Sequence, residues 1–182
     1  MKGSVLENYE VRLVRLTEEK IEMVRNWRND PEISQYMLYR EYITPEMQST
    51  WFGKINNDRN FYYIIEYKGR EVGLINVKDI DYNQKVGEGG IFIYDMQLQN
   101  TDLAYRCHIL LFDYMFIEIG LKGILSEIQP ENERAIRFAT FLGSEMTQET
   151  SECVLFMLTK EKYFTNKNRE RFLKRWNYYN KK

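Results

Sequence analysis

Glu88 and Glu127 both fall in β-rich stretches of the chain. A strand-borne carboxylate can take a proton from a bound group, directly or through water, and it can equally form an ordinary ion pair with Lys or Arg. Strand alternation alone does not say which of the two faces a cleft. Asn132 opens a segment of helical pattern, where its side chain can cap the helix, position a water, or do both. Arg25, Arg28 and Asn29 gather at the end of another helical segment, and they can either contact an anionic ligand or solvate that end. Tyr36, Met37 and Tyr39 follow and can line a pocket beside them, although core packing suits Met37 equally well. The single histidine, His108, shares a helical face with Ala104, Leu111 and Met115, which marks it as a packed side chain and not a catalytic one. Cys107 and Cys153 belong to no CxxC or Cys/His cluster, so neither a metal site nor a structural disulfide is expected.

The elements that must hold these residues alternate along the chain. Val11 to Arg15 has strand character. Thr17 offers a hydroxyl cap ahead of Glu18 and Glu19, and Ile21, Val24 and Trp27 then recur at helical spacing up to Asp30-Pro31, where proline disfavours a helical predecessor. Thr44-Pro45-Glu46 combines a cap, a first-turn proline and an acid at the positive end of the helix dipole; Met47, Trp51 and Ile55 are the expected buried face. Phe61 to Tyr67 and Glu71 to Val77 form a hairpin across Lys68-Gly69-Arg70. Gly89 to Tyr94, after the polar turn Asp81 to Lys85, completes an antiparallel meander. Thr101 to Ile119 reads as a helix stopped by Gly120, Gly123 to Ile128 as a buried strand, Asn132 to Leu142 as a helix ended by Gly143, and Cys153 to Thr159 as a strand. The expected fold is a mixed α/β sheet, mostly antiparallel with a parallel pair, and helices on both faces.

The 182 residues fit one domain, 1–182. With 26 basic and 27 acidic side chains, no overall field recruits nucleic acid or an anionic membrane. The basic stretch from Lys160 to Lys182 carries Phe172, Trp176 and Tyr179 near helical spacing, which suits a terminal helix docked on the domain or on a second subunit of a homodimer. The first residues have no apolar signal core, and nowhere do about 18 apolar residues run together. The expectation is a cytoplasmic protein without a membrane partner.

The stretch GEGGIFIYDMQLQNTDLAYRCHILLFDYMFIEIGLKGILSEIQPENERAIRFATFLGSEM, from Gly87 onward, resembles the core of the GNAT superfamily of N-acetyltransferases. The resemblance is one of order: a strand (Gly90 to Tyr94), a phosphate-holding loop (Gln99 to Ala104), a helix to Phe116, a strand (Gly123 to Ile128), an Asn-x-x-Ala helix start (Asn132, Ala135) and Leu142-Gly143. Arg25-Asn26-Trp27-Arg28-Asn29-Asp30-Pro31-Glu32, with Met37, Ile43 and Trp51-Phe52, is similar to the branch holding ribosomal-protein and pseudaminic-acid-pathway amino-sugar acetyltransferases.

The resemblance implies acetyl-CoA as cosubstrate and direct attack by a primary amine, with a nucleotide-linked amino sugar favoured over a protein amino terminus. It implies that Leu98, Gln99, Asn100, Thr101, Asp102, Leu103 and Ala104 hold the pyrophosphate through backbone amides at a helix start. Ile91, Phe92 and Ile93, the facing strand and Asn132 then border the pantetheine arm. Glu88 or Glu127 becomes the base, Asn132 positions a water, and Arg25, Arg28, Asn29, Tyr36 and Met37 meet the acceptor. The chain departs from the family in three places: the phosphate loop has no glycine and places Asp102 near the phosphates, Ser144 replaces the aromatic after Leu-Gly, and Ala139 stands where many members carry a proton-donating tyrosine. Those departures keep open a binding module without catalysis.

Overall fold

The structure is a computed structural model that describes residues 3–180. Eight strands form one sheet in the order β1-β2-β3-β4-β5-β6-β8-β7. They are β1 (Val5–Asn8), β2 (Val11–Arg15), β3 (Phe61–Tyr67), β4 (Arg70–Asp81), β5 (Val86–Ile93), β6 (Gly123–Ile128), β7 (Glu145–Glu149) and β8 (Val154–Thr159). Every neighbouring pair is antiparallel except β5 and β6, the expected parallel pair. β3 and β6 have the bounds that their apolar runs predict. β1 and β7 were not expected: they are edge strands, β7 is exposed at every residue, and neither carries the apolar alternation that marks a half-buried strand.

On one face of the sheet lie α1 (Ile21–Asn29), α2 (Pro31–Ser34) and α3 (Pro45–Ile55), whose Val24, Trp27, Ile33 and Phe52 pack with Tyr62, Ile64, Leu74 and Phe92. The other face carries α4 (Leu103–Asp113), which runs on as a wider π-type turn over Tyr114–Ile119, α5 (Glu133–Leu142), α6 (Lys160–Thr165) and α7 (Lys167–Asn180). Leu103, Ile109, Leu111, Met115 and Tyr163 fill the larger core there. Gly120 and Gly143 end their helices in left-handed backbone, at φ +81° and +96°, a conformation that glycine adopts without steric cost.

Local details correct three expectations. Thr17 makes no cap hydrogen bond, and a short 3-10 turn, Glu18–Lys20, precedes α1. Thr44 does cap α3 by accepting from the Met47 amide, but Met47 is 42% exposed, and Gln48 and Phe52 are the buried residues. Gln48 reaches the helix interface because its Nε2 donates to the Ile21 carbonyl at 2.9 Å. The basic C-terminal stretch is two helices broken at Asn166, whose Oδ1 accepts from the Asn168 and Arg169 amides. It docks on its own domain: Phe172 and Trp176 pack edge-on against Tyr9, and Arg169 pairs with Asp113 at 2.7 Å.

Candidate active site

β5 and β6 pair over only three residues each, Val86 with Gly123 through Glu88 with Leu125. Beyond that point β5 continues along β4, as far as Ile93 against Gly73, while β6 continues along β8, as far as Ile128 against Val154. The two parallel strands therefore part in the middle of the sheet. The main-chain groups of each strand that face the gap lose their sheet partners, a cost that folding retains where a ligand can supply the missing hydrogen bonds. Gly89 and Gly90 keep the opening narrow-walled: a Cβ on Gly89 would stand 2.9 Å from Ile124 Cγ2, and one on Gly90 3.2 Å from Asn76 Oδ1.

A cavity of about 550 Å³ passes through this gap. Glu88, Ile91, Phe92, Glu127, Asn132, Arg28, Tyr36 and Met37 all line it, so residues far apart in sequence meet there. The register puts Glu88 and Glu127 on the same face of the sheet, toward α1 to α3, together with Asn76 and Lys78 of β4. Lys78 pairs with Glu88 at 2.9 Å. Burial opposes its charge, but the hydrogen bond to Glu88 and the fields of Glu88, Asp79 and Glu127 outweigh burial and hold the ammonium above its ordinary pKa. Glu127 is exposed at the cavity mouth and has no ion-pair partner within 4.0 Å among the described residues.

Arg28 is the other cation of this wall. Its Nε is buried without a hydrogen-bond partner, and its Nη2 donates to the Tyr39 carbonyl at 3.5 Å. Burial pushes the Arg28 pKa down, only partly offset by Tyr62. Arg25 and Asn29 do not line the cavity. Arg25 is 9% exposed and donates to Glu22, Tyr42 and the Ile43 carbonyl. Asn29 clasps the Ile43 backbone with both ends of its amide, donating at 2.9 Å and accepting at 2.8 Å. Both residues tether the segment between α2 and α3, which brings Tyr36, Met37 and Tyr39 to the cavity. Gln129 completes the tether by donating to the Met37 carbonyl at 2.6 Å.

Asn132 caps α5, accepting from the Ala135 amide at 3.1 Å, and borders the cavity as well. Ile93 packs in the core instead of lining the cavity, and Leu98–Ala104 lies outside the enclosed space, past the end of β5. Gln99 fixes that loop by donating to the Ile93 carbonyl and accepting from Arg134 of α5. Thr101 Oγ1 accepts from the Leu103 amide, and the Ala104 and Tyr105 amides open α4 without intrahelical acceptors, as every helix start must. Asp102 turns along the helix to Arg106, 2.9 Å away, so its charge is compensated and not aimed unopposed at the loop. Lys78, Asn76 and Gln129 were missed in the sequence. The signal for the first two was the period of two in Leu74, Asn76, Lys78, which sets polar groups on one face of an otherwise apolar strand.

This geometry, a parted parallel pair beside an open helix start, suits a long ligand with a phosphate head and a polar arm. Residues 10–145 match the family described as "Acetyltransferase (GNAT) domain". The chain is 24% identical over 144 residues to the spermidine N(1)-acetyltransferase of Escherichia coli (strain K12), covering 79% of this chain and 72% of that one. Its fold is similar to that of the spermidine N-acetyltransferase from Vibrio cholerae solved with CoA and spermine (TM-score 0.76, 18% identity, 87% of this chain and 100% of that one). It is equally similar to the apo form of a nucleotide-linked sugar GNAT (TM-score 0.76, 20% identity, 92% of this chain and 96% of that one). With the family matched across most of its length and the expected gap present in its sheet, the chain belongs to the acetyl-CoA-dependent GNAT acetyltransferases.

Proposed function

We propose that the enzyme acetylates the primary amine of a small acceptor bearing an anionic group, of the nucleotide-linked amino sugar type. The observation that carries this reading is Arg28, a guanidinium that lines the cavity with no carboxylate paired to it among the described residues. A phosphate or carboxylate would satisfy it with charge-assisted hydrogen bonds. Tyr36 and Tyr39, about half exposed beside it, offer faces on which a base or sugar can rest.

Acetyl-CoA supplies an activated thioester with a tolerable leaving group, and the chain's own groups place it and manage protons. The parted strands offer main-chain donors and acceptors to its arm, and the start of α4 offers amides to its phosphates. Glu127, free of an ion pair, takes the ammonium proton of the acceptor directly or through water. Glu88, engaged with Lys78, helps to orient the amine, and Asn132 holds a water at the start of α5. Ala139 lies on the cavity wall with no hydroxyl, so proton delivery to the departing thiolate falls to water.

A second reading, a polyamine acceptor, draws on Glu127, Glu131 and Glu152 around a hollow outside the main cavity. Arg28 and Lys78 inside, and Arg40 at the hollow itself, oppose a polycation. A thiol-release assay across nucleotide-linked amino sugars, spermidine and amino-terminal peptides decides among them. Turnover of the nucleotide sugar that is lost when the nucleotide is removed is the expected result. Preferred turnover of spermidine overturns it, and tight CoA binding with no turnover across the panel points to a binding module.

A further inference from the structure

His108 is the only histidine of the chain, and the chemistry above leaves it unused. It sits on α4, where it lines the cavity between the rings of Phe112 and Phe138, whose centroids are 4.9 Å and 5.1 Å away. Its Nδ1 is 2.7 Å from the Ala104 carbonyl oxygen. A carbonyl can only accept, so Nδ1 carries the hydrogen. Burial pushes the imidazole pKa down to about 4, partly offset by that hydrogen bond, so the ring is neutral near pH 7 and Nε2 presents a bare lone pair.

That lone pair has no partner among the described residues. The rings that flank it, Phe112 and Phe138, offer no donor, and the hydroxyls on this side of the cavity, Ser126 and Ser144, make no hydrogen bond to it. Nε2 opens onto the cavity, where water can reach it in the free protein and a ligand that brings an N–H or O–H can take that place. His108 lies on the face that carries α4 and α5, away from Glu88, Glu127 and Arg28. The ligand on its side is therefore the coenzyme and not the acceptor. The pantetheine arm carries amide N–H groups and a hydroxyl among apolar methylenes, which matches one acceptor set in an aromatic wall.

We propose that His108 Nε2 accepts a hydrogen bond from an N–H or O–H of the pantetheine arm and thereby fixes how deep the thioester sits in the gap between β5 and β6. This makes His108 a positioning residue. It does not act as the acid toward the thiolate, because its one proton is held by Ala104. The inference rests on the coenzyme arm occupying that gap.

The test uses the full untagged chain with ¹⁵N-labelled histidine, in which a single imidazole is observed, and with labelled backbone amides. In the free protein Nδ1 should appear protonated and Nε2 unprotonated. Titrating CoA should move the Nε2 resonance upfield while the Gly90 and Ile91 amides shift. His108→Phe should weaken CoA binding about three- to tenfold, the scale of one hydrogen bond, and His108→Gln, which restores an acceptor, should recover most of the loss. Saturation with shifted Gly90 and Ile91 amides but an unmoved Nε2 overturns the proposal alone. Saturation that leaves those amides unmoved overturns the placement of the arm and the proposal with it. Should His108→Phe fail to fold, the titration of the unaltered chain still decides.

Discussion

The two walls of the cavity are built differently. On the side proposed for the coenzyme the offered groups are main chain: a parted strand pair, two glycines that a side chain would crowd, and the amides that begin α4. On the side proposed for the acceptor they are charged side chains, Arg28, Lys78, Glu88 and Glu127, together with aromatic residues on a segment held by Arg25, Asn29 and Gln129. A main-chain site survives sequence change as long as the fold survives, whereas a side-chain site changes with each substitution. The first wall therefore carries what the fold provides, and the second carries the proposed choice of acceptor.

Substitutions should separate the walls. The largest expected effect is Glu127→Gln, which removes the proposed base and should lower kcat by about 10² to 10⁴-fold while the coenzyme Kd stays unchanged. An equal loss in Glu88→Gln, with Glu127→Gln near normal, would exchange the roles of the two carboxylates.

Next comes acid sensitivity on the coenzyme side. The folded pKa of His108, about 4, lies below its unfolded value of about 6.5, so its neutral form favours folding above pH 6.5. That contribution is lost as pH falls toward 4, up to about 3 kcal/mol by linkage. Urea unfolding of the unaltered chain should thus weaken more between pH 7 and pH 4 than that of His108→Phe. Parallel losses would show that the imidazole titrates normally in the fold.

Arg28→Ala should raise the acceptor KM by roughly 10 to 100-fold, the range of a hydrogen bond to a charged group, and leave coenzyme affinity alone. Steady-state kinetics with an anionic acceptor beside isothermal titration of CoA would show whether the effect stays on one wall. The smallest effect belongs to Asp102→Gly. Because Asp102 is an exposed partner of Arg106, CoA affinity should change less than about threefold in calorimetry. A larger tightening would restore direct repulsion between this carboxylate and the phosphates.

Much of the sheet and its helix ends was legible in the sequence, and the residues that meet in the cavity only partly so, for physical reasons. β3, β6, α5 and the helix stops at Gly120 and Gly143 carry local signals, namely β-branched runs, a capping asparagine and left-handed glycines. β1 and β7 do not, since β7 is exposed at every residue and β1 packs only Leu6 against the core, so neither needs an apolar alternation. Arg25 and Asn29 read as a surface charge cluster, yet their partner is the Ile43 backbone, and no sequence pattern encodes a bond to a distant carbonyl. Arg28 lines the cavity without a carboxylate partner whereas Arg25 is spent on Glu22 and Ile43, a distinction that required the packing of α1. His108 shows the same limit from the other side. Its helical face marks it correctly as packed, but the vacant lone pair on Nε2 follows from the position of one carbonyl oxygen.

The parting of β5 from β6 also has a mechanical meaning. Within the sheet, the block from β1 to β5 and the block from β6 to β7 are stitched by the pairs from Val86–Gly123 to Glu88–Leu125, with the Lys122 and Gly123 amides donating to the Lys85 carbonyl at the same end. A seam so short is where the free molecule should open at least cost, and amides along Gly89–Ile93 that face it should exchange with solvent far faster than those bonded to β4. A ligand lying in the seam bonds to both blocks and acts as a removable splint. Its arrival should slow that exchange and make the two blocks unfold as one.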